Sequence, residues 1–248
     1  MRRLRDPEHG CPWDREQTFR SLAPYTLEEA CEVVDALERG DHADLREELG
    51  DLLFQIVFLA QMAHEEGRFD FDAVARAIAD KLERRHPHVF GPAAGGTDTA
   101  AVLHKWEQLK AEERASRGVA ATLAGVPLSL PALLRATKLG KRAARVGFDW
   151  PDAEGARCKV DEELGELEHA ITVGDDAAID EELGDALLAM ANWARLLGRD
   201  PERALRAANA KFEARFAAME RAAAAAGQAL DGLDAAAWDR LWEAAKKA

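Results

Sequence analysis

The pentapeptide Glu-Glu-Leu-Gly-Asp occurs twice, at residues 47–51 and 181–185, and each copy follows an acidic helical segment by the same step. Upstream stand Glu28-Glu-Ala-Cys-Glu32 in the first half and Glu162-Glu-Leu-Gly-Glu166 in the second. Glu29 to Glu48 is 19 residues, and Glu163 to Glu182 is again 19. The mirror continues downstream. Lys81-Leu-Glu-Arg-Arg85 matches Lys211-Phe-Glu-Ala-Arg215, and Trp106-Glu-Gln-Leu-Lys110 matches Trp242-Glu-Ala-Ala-Lys246. The offset between halves drifts only from 134 (163 minus 29) to 130 (211 minus 81) to 136 (242 minus 106). Self-similarity of this kind marks an internal duplication and requires one supersecondary unit built twice.

The period of the apolar residues says which unit. They recur at three and four along most of the chain, and no stretch alternates as a strand does. Ala and Leu dominate a hydrophobic fraction of 48%, with only 6% aromatics, which favours helix. The predicted fold class is all-α, as tandem helical bundles. Helices are expected over Thr26–Arg39, Ala43–Glu66 and from an Asp70 cap to about His86. A loop is expected over Pro87–Thr97 and a helix over Asp98–Ser116. Pro131–Val146, Asp152–Val173, Ala177–Leu197, Pro201–Ala225 and Asp234–Lys247 complete the set. Periodicity fades over 117–130, where Gly118, Gly125 and Pro127 fall, so the expected division is a first domain 1–116, a linker 117–130 and a second domain 131–248.

The net charge is −13, with 46 acidic against 33 basic residues. Such a surface repels a phosphate backbone, so a nucleic acid polymer is excluded as partner. Three cysteines without a Cys-x-x-Cys pair fit a reducing, cytoplasmic setting and no zinc ribbon. No apolar run is long enough for a membrane span, and the start reads as no signal peptide.

The repeated acids point to a metal. Glu29 and Glu32 share a helix face, as do Glu48 and Asp51 on the next helix, and a turn at Gly40 makes the two helices antiparallel. Four carboxylates then converge. The second half offers Glu163, Glu166, Glu182 and Asp185 in the same way. Four such groups cannot all stay ionised in a dry site, because like charges raise one another's pKa. A hard divalent cation relieves this: Mg²⁺ takes oxygen ligands and bridges carboxylates to substrate phosphates. Thr26-Leu-Glu-Glu29 also fits a capping box, a purely structural reason for Glu29; the matching Val160 cannot cap, so Glu163 needs another. Leu49, Leu52, Leu53, Ile56 and Val57 flank one acidic pair, and Leu183, Leu187, Leu188 and Met190 the other. Helices apolar on most sides are expected to be buried, where carboxylates need partners.

Cations for an anionic substrate are at hand. Lys159 lies one turn before Glu163, and Lys211 and Arg215 share a face, either as phosphate ligands or as ordinary surface charge. Trp242 either stacks on a base or closes the end of a bundle. A di-iron bundle is the first rival, but its Glu-x-x-His motif occurs only as Glu83–His86, mirrored by Glu213–Phe216. The second rival is a non-catalytic nucleotide- or protein-binding helical dimer. His86 and His88 have no counterpart in the second half and read as structural or interfacial.

These residues resemble the MazG nucleoside triphosphate pyrophosphohydrolases. Leu4-Arg-Asp-Pro-Glu-His-Gly-Cys-Pro-Trp-Asp14, Glu65-Glu-Gly-Arg-Phe-Asp-Phe71, Lys81-Leu-Glu-Arg-Arg-His-Pro-His-Val-Phe90 and Val146-Gly-Phe-Asp-Trp150 extend the likeness over essentially the whole chain. The resemblance implies a tandem all-α homodimer that uses Mg²⁺, with Mn²⁺ as a substitute, to hydrolyse an NTP or dNTP to monophosphate and pyrophosphate, mainly in the C-terminal domain. It implies Glu163, Glu166, Glu182 and Asp185 as metal ligands, and Glu29, Glu32, Glu48 and Asp51 as a second set. It implies substrate contacts from Lys159, Glu162, Glu163, Asp185, Lys211, Arg215 and Trp242. The expected hydrolysis is water attack at the α-phosphorus, with Glu162 or Glu181 orienting the water. The first half departs at Tyr25, which stands where the second has Lys159.

Overall fold

A computed structural model describes residues 1–91, 98, 99, 102, 105, 106, 109, 113 and 121–247. The chain divides into two compact units, Met1–Glu112 and Glu113–Ala248. All regular structure among the described residues is helical, as the apolar period requires. The first unit holds α1 (Pro12–Glu16), α2 (Phe19–Arg39), α3 (His42–Glu65), α4 (Phe71–Arg85) and α5 (Pro87–Phe90). The second holds α6 (Ala132–Ala144), α7 (Ala153–Val173), α8 (Asp176–Leu196), α9 (Pro201–Ala225) and α10 (Ala235–Ala245), with a 3₁₀ turn at Leu230–Gly232 before α10. Most of the helix expected over 98–116, and residues 92–97 of the expected loop, lie outside the described residues.

Each unit is organised on one helical hairpin, α2–α3 or α7–α8, and both hairpins are closed by the same two residues. Gly40 ends α2 at φ 70° and Gly174 ends α7 at φ 78°, left-handed conformations that glycine adopts without a Cβ penalty. The next residue then starts the return helix. Asp41 Oδ1 accepts from the amides of Ala43 and Asp44 at 3.0 and 3.1 Å, and Asp175 Oδ1 accepts from Ala177 and Ala178 at 3.1 and 3.2 Å. Leaving α in one residue and re-entering it in the next forces the antiparallel return, which sets the acidic pairs face to face.

Three expectations are corrected. The first concerns α2, which starts at Phe19 rather than near Thr26. Thr18 and Ser21 form a reciprocal capping box, with Ser21 N to Thr18 Oγ1 at 3.1 Å and Thr18 N to Ser21 Oγ at 2.9 Å. Pro24 sits inside the helix and forfeits only the bond to the Arg20 carbonyl. Thr26 is mid-helix and donates to the Leu22 carbonyl at 3.0 Å, so Glu29 is not part of a cap. The second concerns Pro87–Phe90, which is a short helix rather than loop, because proline suits a first helical position. The third concerns the acid-bearing helices, which are not buried on most sides within one chain. Leu49 and Leu53 are each 50% exposed, as is Leu187, and Ile56, Leu183, Leu188 and Met190 are exposed too. A two-helix hairpin covers one face of each helix only, and the opposite apolar face stays open.

The core of the first unit is Leu22, Phe58 and Met62, with Met1 and Leu59 packed against them. In the second unit the α7–α8 seam buries Ala156, Val160, Ala170, Ala186 and Ala189, small side chains that let two helices approach closely. A third helix, α6, packs on α8, with Gly140 against Asn192 and Arg195 of α8. A Cβ there would overlap the amide oxygen of Asn192, which is buried and in turn accepts from Arg195 Nε at 3.2 Å. Arg195 completes the joint with a two-pronged ion pair to Asp149, at 3.0 and 2.5 Å. Residues 121–125, just ahead of α6, fold onto it: Arg142 donates to the carbonyls of Leu123, Ala124 and Gly125.

Gly140→Ala is expected to destabilise the second unit by about 1–3 kcal/mol, the usual cost of overpacking. Chemical denaturation checks it, with Gly165→Ala as the control, since nothing lies within 4 Å of a Cβ at that helical position.

Candidate active site

Glu163 and Glu166 lie on α7 and Glu182 on α8, and one carboxylate oxygen from each falls within 4.8 Å of the other two. Glu163 is only 5% exposed, whereas Glu166 is open to solvent. The first unit repeats the arrangement with Glu29 from α2 and Glu48 and Asp51 from α3, again within 4.8 Å. Glu32 belongs to that group electrically, since its charge raises both Glu29 and Glu48. Asp185 faces the same cavity as Glu163 and Lys159. No histidine joins either group among the described residues, which removes the di-iron pattern.

The acids pay for this convergence in protonation. The pKa of Glu182 is pushed up by burial first and then by the charges of Glu166, Glu163, Glu181 and Asp185. Glu48 is pushed up by burial and by Glu32, Asp44, Asp51 and Glu29. Glu29 is raised by burial and by Asp51 and Glu32, partly offset by a long hydrogen bond from Gln55 Nε2 at 3.5 Å. Three or four oxygens of one charge around a small space, with no proton to share, are the donor set of a hard divalent cation.

The two sites differ in their cations. Lys159 Nζ reaches Glu163 Oε1 at 2.6 Å and Glu162 Oε1 at 2.7 Å, and these bonds hold its pKa well above the ordinary lysine value. At the matching place in the first unit Tyr25 packs its ring edge-on to Trp13 at 5.8 Å. Buried Gln55 stands near Glu29 with its own Oε1 unpartnered. Two openings flank the acids of the second unit. A groove of about 430 Å³ is lined by Glu162, Glu166, His169 and Glu182. A cavity of about 290 Å³ is lined by Lys159, Glu163 and Asp185 on one side and by apolar residues on the other.

Lys211, Arg215 and Trp242 lie on the α9–α10 pair. The Arg215 guanidinium sits over the Trp242 ring at 5.6 Å, and Phe212 packs beside the ring at 5.7 Å. No hydrogen bond or ion pair joins them to the carboxylates among the described residues. Their first-unit counterpart Trp106 donates Nε1–H to the Arg85 carbonyl at 2.9 Å and packs on His86 at 4.9 Å. His86 is also tied to the Leu82 carbonyl, so it serves structure. All three cysteines are free thiols. Sequence reasoning missed Asn192 and Arg195. The signal was a polar residue seven places after Asp185 in an apolar run, where the first half has Phe58.

Fold and site together define a duplicated all-α protein with a cluster of carboxylates able to hold a metal ion on each hairpin. The MazG nucleotide pyrophosphohydrolase domain matches the chain twice, over residues 17–90 and 155–218. The chain belongs to the MazG family, whose hydrolases are metal-dependent. It is 53% identical to the nucleoside triphosphate pyrophosphohydrolase of Escherichia coli K12, over all of this chain and 94% of that protein. It is 42% identical to the nucleoside triphosphate pyrophosphohydrolase/pyrophosphatase MazG of Thermotoga maritima, over 99% of this chain and 92% of that protein. A shorter match, 39% over 55% of this chain, reaches the Mycolicibacterium smegmatis nucleoside triphosphate pyrophosphohydrolase.

Raised carboxylate pKa values mean that protons compete with a cation above the usual glutamate range. Divalent-cation affinity is therefore expected to fall as pH drops from neutrality toward that range, and to plateau above it. Calorimetric titration of Mg²⁺ at a series of pH values measures this; an affinity flat down to the ordinary glutamate pKa contradicts it.

Proposed function

We propose that the protein hydrolyses nucleoside triphosphates to monophosphate and pyrophosphate with Mg²⁺, at the site on α7–α8, and that it works as a cytoplasmic homodimer. The observation that carries this is the group of Glu163, Glu166 and Glu182 oxygens within 4.8 Å, with Lys159 on Glu163 and two openings beside it. Family membership and full-length relatives bearing that activity in their names support the same reading.

Glu163, Glu166, Glu182 and Asp185 would hold the ion. When bound, Mg²⁺ neutralises phosphate charge and polarises the phosphorus toward attack, and Mn²⁺ can do the same. Lys159 supplies the fixed positive charge of the site and is free to pair with a phosphate once Glu163 turns to a cation. Glu162 and Glu181 flank the set and can accept a proton from the attacking water. Water adds to the α-phosphorus, the bond to the bridging oxygen breaks, and pyrophosphate leaves with that oxygen. The first unit keeps the acids, without the lysine, as a second cation site. Lys211 and Arg215 extend from α9 as phosphate ligands, and Trp242 holds Arg215 in place or stacks on the base.

Dimer formation is supported by the exposed apolar faces of α3 and α8, which a second copy can cover. No described helix is long and apolar enough to cross a membrane.

Incubation with each dNTP and Mg²⁺, with product analysis, tests the reading. Wild type should release pyrophosphate and monophosphate. Glu163→Gln should lower kcat at least about 100-fold, the range for removing a metal's charge stabilisation. Glu29→Gln should stay within a few-fold of wild type. Equal loss in both variants would make the two units one catalytic system, and release of orthophosphate alone would refute attack at the α-phosphorus.

A further inference from the structure

The mirror between the halves also shows where the two carboxylate groups differ. An offset of 134 pairs Glu29, Glu48 and Asp51 with Glu163, Glu182 and Asp185, so the acids agree. The same offset pairs Tyr25 with Lys159 and Gln55 with Ala189. In the second unit Lys159 sets its ammonium on Glu163 at 2.6 Å. In the first unit Tyr25 packs against Trp13 instead. Among the described residues, no lysine, arginine or histidine forms an ion pair with Glu29, Glu32, Glu48 or Asp51.

Gln55 is the second difference. It lies on α3 one turn after Asp51 and is only 5% exposed. Its Nε2 approaches Glu29 Oε1 at 3.5 Å, beyond the usual length of a hydrogen bond. Its Oε1 is buried and has no hydrogen-bond partner. A buried acceptor in that state has lost its hydration with nothing in return, which marks it as the place of a missing partner. The oxygen shares one carbon with the nitrogen that faces Glu29, so it stands at the edge of the acid group. The terminal torsion of a glutamine is broad, and a small turn of the amide costs little. The acids lack a positive charge and the amide oxygen lacks a partner for its lone pairs. One divalent cation supplies both.

We propose that the first unit holds a structural divalent cation on Glu29, Glu48 and Asp51, with the amide oxygen of Gln55 as a fourth protein ligand. This rests on the second cation site of the functional reading, and gives that site a ligand set and a role. Hard cations accept amide oxygens alongside carboxylates. Ligand count decides what an ion does. Zinc sites show the rule: structural ones close with protein ligands, and catalytic ones keep a position open for water or substrate. Gln55 takes up one more position in the first unit. Ala189 has only a methyl at the matching place and leaves it free in the second unit, where Lys159 is at hand for a phosphate. The first unit has neither that free position nor the lysine. Its ion joins α2 to α3 and does not recruit a triphosphate.

The test is calorimetric titration of Mg²⁺ into the full chain carrying Glu163→Gln and Glu182→Gln, which disable the second group. This parent should bind a single ion. Adding Gln55→Leu should weaken the binding at least about tenfold, the range for losing a group that supports a metal site. Adding Gln55→Glu keeps an oxygen at the same place and should bind as tightly as the parent or more so. Thermal unfolding separates ligation from packing. In EDTA, Gln55→Leu should melt no lower than the parent, since it removes a stranded oxygen and keeps the apolar volume. With Mg²⁺ the parent Tm should rise with ion concentration, and Gln55→Leu should need a higher concentration for the same rise. A parent that binds no ion overturns the proposal. So does an affinity in Gln55→Leu equal to the parent's, or a loss in Gln55→Glu as large as in Gln55→Leu. A Gln55→Leu variant that melts lower in EDTA but keeps the parent's response to Mg²⁺ assigns Gln55 to packing, and overturns it too. Pyrophosphate release from wild type judges the hydrolysis reading separately. Release with no ion bound by the parent sinks the structural ion alone. An ion bound by the parent through Gln55, with no release from wild type, sinks the hydrolysis reading and leaves the ion in place.

Discussion

Repulsion among like-charged carboxylates is the constraint to which the rest of this structure answers. Three glutamates of the second unit present oxygens within 4.8 Å of one another, one of them buried, and nothing in water would gather them. They are gathered because they sit on two helices whose connection allows no other arrangement. A left-handed glycine and an aspartate cap reverse the chain within two residues, and an alanine-rich seam brings the helices close. Local backbone preference thus sets up an electrostatic strain that only protons, a lysine or a cation can relieve. The second unit sets Lys159 on Glu163 while Glu182 still has a raised pKa, and the first unit, without the lysine, has raised values at Glu29 and Glu48.

The hairpins were legible from sequence because their determinants are local and repeated. Gly40 and Gly174, each followed by aspartate, mark the turns, and the spacing of 19 residues fixes which faces meet. The ends were harder to see. Pro24 reads as a helix breaker, yet Thr18 and Ser21 cap the helix upstream of it and α2 runs through. The exposure of α3 and α8 is not legible for a different reason: a long apolar run shows that a face wants cover, but not whether the same chain provides it.

The site was half legible. The acids and Lys159 stand out because the two copies agree on the first and differ on the second. Asn192 and Arg195 did not, since their roles depend on the approach of α6 at Gly140, a contact between residues more than 50 apart (192 minus 140 is 52) that no periodicity encodes. Lys211, Arg215 and Trp242 carry a recognisable pattern, but the fold sets them on their own helix pair.

The clasp of Arg142 on residues 123–125 gives the second unit a true beginning. The carbonyls to which its guanidinium donates lie ahead of α6, and Leu123 from the same stretch forms part of the cavity wall. Cutting the chain at Pro131, where helical periodicity resumes, would remove these carbonyls from Arg142 and open the cavity on one flank. A fragment meant to keep the second unit whole has to retain the residues from 121 onward. The stretch ahead of α6 is therefore also part of the lining of a cavity beside the acids.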